Sequence, residues 1–145
     1  MHKLFSKADS LTEVVIDSAI EVQSHFGIGL LESVYQKCLA QELRLRGHDV
    51  KMEVPATIRY KGMEFTENLR IDLLVDDCLI VECKALDEDK VNMPRHKAQT
   101  LSYMKLMDKP LGLVINFWCE QLRYRKRGIG RVILKGADAP DEELF

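Results

Sequence analysis

Leu11, Val15, Ala19, Val22 and Phe26 recur at helical spacing and predict an amphipathic helix over residues 11–25. Ser10 and Glu13 bracket its start as a capping box, with Ser10 at the N-cap and Glu13 at N3. Gly27-Ile28-Gly29 breaks the pattern. A second helix is predicted from Leu31 to Arg46, with Leu31, Val34, Tyr35, Cys38, Leu39 and Leu43 on one side and Gly47 as its stop. The apolar period then falls to two. Val50–Val54 reads as a short strand ended by Pro55, and Ala56, Ile58 and Tyr60 alternate with polar residues. Lys61-Gly62 turns the chain into Met63–Thr66 and a longer strand, Asn68–Val75. Asp76-Asp77 marks the turn into a strand over Cys78–Lys84. After a charged stretch, Pro94 opens a third predicted helix that runs to Met107. Leu111–Phe117 is almost continuously apolar, as expected of a strand buried on both faces. Leu122–Leu134 reads as a strand or hairpin around Gly128-Ile129-Gly130.

This order predicts an α/β sandwich: a mixed central sheet flanked by helices. With 145 residues and neither repeat nor linker between 10 and 135, the chain reads as one domain over residues 10–135. A short segment, residues 1–9, precedes it, and an acidic tail, residues 136–145, is expected to be mobile.

Charge changes this picture only when it is divided. The whole chain has 21 Lys and Arg against 23 Asp and Glu, a net of −2. That excludes gripping nucleic acid by bulk positive charge. Residues 1–83 hold 9 basic and 14 acidic groups, residues 84–135 hold 12 and 5, and residues 136–145 hold 0 and 4. The middle stretch, net +7, suits a polyanion or a merely solvated surface. No apolar run approaches a membrane span, and residues 1–7 lack the apolar core of a secretory signal. Cys38, Cys78, Cys83 and Cys119 form no CxxC pair and read as reduced, mostly buried thiols of a cytoplasmic protein.

The chemistry concentrates in Arg70–Val75 and Leu79–Lys84. Ile71, Leu73 and Val75 share one strand face, as do Leu79, Val81 and Cys83, so that face is predicted to be core. The opposite faces carry Asp72 and Leu74, and Ile80, Glu82 and Lys84. A two-residue turn would send Asp72 and Glu82 to opposite faces. A three-residue loop, Asp76-Asp77-Cys78, pairs 75 with 79 and 72 with 82 and matches the apolar faces, so this register is expected. The two carboxylates would then face each other with Cβ atoms about 4.5–5.5 Å apart. So close a pair raises a pKa or recruits a cation, and oxygen ligands suit Mg²⁺ or Mn²⁺. Lys84, on the same face, would orient a water or neutralise a developing phosphate charge. A salt bridge at the sheet edge would use the same three groups.

Asp72 followed by Glu82-Cys83-Lys84 on a hairpin resembles the PD-(D/E)xK nuclease superfamily. Gly29-Leu30-Leu31-Glu32-Ser33-Val34-Tyr35 is similar to the motif that names its GxxExxY family, and Gln99 with Tyr103 resembles the QxxxY element of RecB-like and lambda-type nucleases. The resemblance spans about residues 10–135. Ile71 stands where the superfamily's nominal motif has proline. The resemblance implies that Asp72 and Glu82 bind the metal, helped by the Cys83 carbonyl. It implies Lys84 as the catalytic lysine, Glu32 as a further acidic residue bordering the metal, and Gln99 and Tyr103 beside the DNA backbone.

Glu32 and Tyr35 share a helix face, as do Gln99 and Tyr103. Each has an ordinary alternative: Glu32 as a first-turn acid, Tyr35 as a core residue with a bonded hydroxyl, and Gln99 and Tyr103 as an amphipathic face. His96, Arg95 and Lys97 are candidate phosphate contacts, and Arg123, Arg125, Lys126, Arg127 and Arg131 either extend that track or form a solvated basic hairpin. The expected function is an Mg²⁺- or Mn²⁺-dependent phosphodiesterase acting on DNA through a metal-activated water. A nucleic-acid-binding or partner-binding module that barely cleaves is the alternative. One site cuts one strand, so double-strand cutting would need a homodimer or two encounters.

Overall fold

Helix α1 (Phe5–Phe26) starts well before the capping box. Ser10 is not an N-cap: it lies inside the helix, and its Oγ donates to Lys7 O at 2.7 Å. The apolar stripe explains the extension. Ala8 continues Leu11, Val15, Ala19 and Val22 upstream into the core, and this burial outweighs a local cap signal. Helix α2 (Glu32–Leu45) ends where Gly47 suggested. Gly47 N–H donates to Arg44 O and His48 N–H to Leu43 O, the paired bonds of a Schellman stop.

The structure, a computed structural model, describes residues 1–125 and 127–138. Strands β1 (Val50–Pro55), β4 (Arg70–Val75), β5 (Leu79–Lys84), β6 (Leu111–Asn116) and β7 (Ile129–Ile133) form a sheet in the order β1-β4-β5-β6-β7. Strands β2 (Ile58–Tyr60) and β3 (Met63–Phe65) form a separate hairpin between β1 and β4. Among the described residues only β5 and β6 pair in parallel, joined through helix α3 (Met93–Met107), so the sheet is mixed. The stretch expected to be strand from Leu122 instead begins with a 3-10 turn, Glu120–Tyr124, and only Ile129–Ile133 pairs. Lys126 and residues 139–145 of the acidic tail lie outside the described residues.

Two cores sandwich the sheet. On one side, Leu11, Val15, Ala19 and Val22 of α1 and Tyr35, Leu39 and Leu43 of α2 pack on Leu73, Val75, Leu79, Val81, Leu113 and Ile115. On the other, Tyr103 and Met104 of α3 pack on Leu74, Ile80 and Val132. Gly112 permits this second contact: a Cβ there would come 2.8 Å from Thr100 Cγ2 and 2.9 Å from Met104 Sδ. Every residue of β6 is buried, as its continuous apolarity predicts.

One face assignment is corrected. Ile71 packs with Leu74, Ile80 and Tyr103 in the α3-side core, not with Leu73 and Val75. β4 stays paired with β1 through Ile71 and Arg70 but with β5 only from Leu73 onward, and the switch of face falls between Ile71 and Leu73. Opposite Asp72 on β1, Glu53 has φ of 52°, and the residues either side of it, Met52 and Val54, pair with Leu73 and Ile71.

Candidate active site

The β4–β5 register follows the three-residue loop: Val75 pairs with Leu79, Leu74 with Ile80 and Leu73 with Val81. Beyond Leu73 and Val81 the carboxylates take over. Asp72 N–H donates to Glu82 Oε1 at 3.2 Å, and Cys83 N–H donates to Asp72 Oδ2 at 2.7 Å. Asp72 and Glu82 are therefore face to face at the end of a ladder whose open donors they satisfy.

Glu82 is almost fully buried. Burial, reinforced by the Asp72 charge, pushes its carboxyl up to about 9, and Lys84 only partly offsets this. Burial also raises Asp72, aided by Glu53 and opposed by the Cys83 N–H and Lys84. Glu32, the first residue of α2, is raised by burial and then by Asp72, again with Lys84 opposing. One lysine thus serves three crowded carboxyl groups. Such a site stabilises added positive charge, either as protons or as a cation.

Three further residues complete the surroundings and were missed from sequence. Gln36 Nε2 donates to Glu53 Oε1 at 2.7 Å and to Asp72 O at 3.2 Å, tying α2 to β1 and β4. Gln36 lies four residues after Glu32 on the same helix face, a signal that could have found it. Glu53 reaches the site through a positive-φ backbone that no spacing rule marks. Beyond Lys84, Asn116 holds the chain: its Nδ2 donates to Leu86 O at 2.9 Å and its Oδ1 accepts from Leu86 N–H at 3.0 Å.

Helix α3 brings a second set of residues. Tyr103 is buried beside the carboxylates. Burial raises its hydroxyl, the charges of Glu82 and Asp72 add to this, and a hydrogen bond with Gln99 opposes it. His96 stands near Lys84; burial first, then Lys84 and Arg95, lower its pKa. Its Nε2 is enclosed without a hydrogen-bond partner among the described residues. Arg95 is exposed, whereas the stem of Lys97 packs over Gly130 of β7. Tyr35 is fully buried, stacked on Phe117 at 4.8 Å, and its hydroxyl bonds to Gly27 O and Leu30 N. It shapes the loop before Glu32 from within the core.

The distal basic residues divide. Arg125 pairs with Glu13 and Asp17, and Arg131 with Asp9, an acidic row along α1. Arg123 stacks on Tyr124 with the guanidinium carbon 4.7 Å from the ring centre.

Among the described residues, no three His, Cys, Asp or Glu side chains are arranged to hold a metal ion. The donor chemistry nevertheless fits one at the pair. Asp72 and Glu82 supply adjacent hard oxygens whose crowding favours a cation. In an extended strand a residue's N–H and C=O leave from the same edge, so the Cys83 carbonyl shares the edge where Cys83 N–H meets Asp72. Among the described residues no helix is long and apolar enough to cross a membrane, and the four cysteines form no disulfide.

A family model for the PD-(D/E)XK nuclease superfamily matches residues 9–132. No curated protein and no solved structure matches the chain.

Proposed function

The chain belongs to the PD-(D/E)XK nuclease superfamily, and from that premise we propose that it is a metal-dependent nuclease that hydrolyses phosphodiester bonds of DNA. The observation that carries this reading is the buried Asp72–Glu82 pair with Lys84 beside it. Within the superfamily, Gly29, Glu32 and Tyr35 support a place in the GxxExxY group.

Asp72, Glu82 and the Cys83 carbonyl would hold Mg²⁺ or Mn²⁺, with Glu32 bordering it. A divalent ion, when bound, supplies Lewis-acid polarisation of the phosphate and an acidified water. Lys84 places its ammonium against the phosphate, where negative charge grows during in-line attack. Gln99 fixes the Tyr103 hydroxyl, which donates toward the phosphate backbone from the α3 side. His96 and Arg95 add contacts one turn earlier, and Lys97 flanks the strand further out. Gln36 and Asn116 hold the chain on either side, so the acids and the lysine meet the substrate in fixed positions.

Metal-dependent nicking of supercoiled plasmid, lost in Asp72→Ala and Lys84→Ala, tests this reading. DNA binding that survives both EDTA and Lys84→Ala, without any cleavage, would mark a nucleic-acid-binding module instead.

A further inference from the structure

Two neighbouring strands change face at the same level of the sheet. On β1, Val50 and Met52 pack on the α1 and α2 side, whereas Val54 packs on the α3 side. On β4, Val75 and Leu73 pack on the α1 and α2 side, whereas Ile71 packs on the α3 side. A regular strand keeps residues two apart on one face. Each strand therefore makes a half-turn, β1 at Glu53 and β4 at Asp72. The ladder between them skips this pair, since Met52 pairs with Leu73 and Val54 with Ile71. Strand β5 does not follow: Leu79, Val81 and Cys83 stay in one core.

Glu53 carries the bend in its backbone. Its φ of 52° lies in the left-handed region, which residues with a side chain rarely adopt. The other described non-glycine residues with positive φ stand in turns, bends and at helix ends, whereas Glu53 stands inside a strand. Such a conformation persists where its surroundings hold it, and it collects at functional sites. Here the holder is Gln36, which is only 4% exposed. Its Nε2 donates to Glu53 Oε1 at 2.7 Å and to Asp72 O at 3.2 Å. On the other side, Asp72 N–H donates to Glu82 Oε1 and Asp72 Oδ2 accepts from Cys83 N–H. Both main-chain groups of Asp72 are gripped by side chains, and its carboxylate reaches across to β5.

We propose that Glu53 and Gln36 are positioning residues for Asp72. The left-handed bend at Glu53 turns β4 together with β1, and Gln36, fixed by the Glu53 carboxylate, holds Asp72 so that its carboxylate meets Cys83 N–H beside Glu82. The inference rests on the nuclease reading for its consequence: the metal-binding pair depends on a hydrogen bond one residue removed from it. What Gln36 requires at position 53 is an acceptor oxygen rather than a charge. Glu53→Gln keeps that oxygen. Glu53→Gly accepts the left-handed backbone without strain but has no acceptor. Gln36→Leu keeps the volume and removes the donor.

The test is amide hydrogen exchange at Cys83, read by NMR on the metal-free full chain, beside calorimetric titration with Mn²⁺, both well below the unfolding temperature. Glu53→Gly and Gln36→Leu should each speed Cys83 exchange about 10-fold, with the β6 amides at parental rates, and weaken Mn²⁺ binding about 10-fold. Glu53→Gln should stay within about twofold of the parent in both measurements. In plasmid nicking, the Gly and Leu variants should lose kcat with KM for DNA unchanged. Parental Cys83 exchange in those two variants, whatever their melting temperatures, would reduce the pair to a structural bond and overturn the inference. Mn²⁺ affinity that holds while Cys83 exchange speeds up would overturn it too. So would Glu53→Gln behaving like Glu53→Gly, which would assign the effect to the Glu53 charge. A parent that binds no Mn²⁺ and nicks no plasmid would sink the nuclease reading, and Cys83 exchange alone would then decide the positioning of Asp72.

Discussion

Glu82 Oε1 accepts the N–H of Asp72 at 3.2 Å, while Asp72 Oδ2 accepts the N–H of Cys83 at 2.7 Å. Each acid holds the main chain of the other's strand, so the catalytic candidates and the end of the β4–β5 ladder are one interaction. The strands part after Leu73 and Val81, and the carboxylates satisfy donors that the ladder leaves.

This arrangement makes stability depend on pH in a particular sense. The Glu82 carboxyl, ordinarily near 4.5, is pushed to about 9 by burial and by Asp72. A raised acid is favoured in its protonated form. Its contribution is therefore complete below the unfolded value and is lost as pH rises from about 4.5 toward 9, by up to about 1.4 kcal/mol per pH unit. Asp72 is raised and acts in the same direction. Glu82→Gln removes the titration while keeping the shape. In EDTA, denaturant unfolding should show the variant more stable than the parent at pH 8 by about 2 kcal/mol or more, with the gap closing at pH 4. A gap that widens toward acid would contradict this.

Metal binding should release protons for the same reason. Mn²⁺ titrated calorimetrically at pH 7 in buffers of different ionisation enthalpy should give heats that vary with the buffer. Lys84→Met removes the cation that lowers Glu32, Asp72 and Glu82, so the pH midpoint for Mn²⁺ binding should move upward. An unchanged midpoint would show that Lys84 does not act on the carboxylates.

Much of this site was legible in the sequence because strand periodicity is rigid. Matching Leu73, Val75, Leu79 and Val81 to one face selected the loop length, and the loop length put Asp72 opposite Glu82. Ile71 escaped the same logic because β4 switches face between Ile71 and Leu73, although its pairing with β1 continues through both. The capping box at Ser10 misled because Ser and Glu at that spacing occur inside helices too, and the buried Ala8 carries α1 past it. Glu53 depends on a left-handed backbone in mid-strand, which side-chain spacing does not encode. Arg125 and Arg131 were open to two readings, a phosphate track or a solvated hairpin, because their partners, Asp9, Glu13 and Asp17, are more than a hundred residues away in the chain.

Those ion pairs separate structural cations from candidate contact cations. Arg125→Ala should leave DNA affinity within about twofold, since its charge is engaged by Glu13 and Asp17. Arg95→Ala should weaken binding and lower the salt slope of log affinity by about one. Affinity measured across a salt series checks both, and a larger effect from Arg125 would reverse the assignment.

Tyr35→Phe keeps the stack on Phe117 and loses the bonds to Gly27 O and Leu30 N. It should cost about 1–2 kcal/mol in denaturant unfolding, and hydrogen exchange should speed up at the Leu30 amide. Faster exchange there, with the core unchanged, would identify the hydroxyl as the clamp of the loop before Glu32.

The most direct measurement of the central claim is nicking of supercoiled plasmid by the purified protein with Mg²⁺, Mn²⁺ or EDTA, beside Asp72→Ala, Glu82→Gln and Lys84→Ala. Nicking that needs the metal and falls at least about 10²-fold in each variant is the predicted result. No metal-dependent nicking by the parent, or equal nicking by all four proteins, would contradict it.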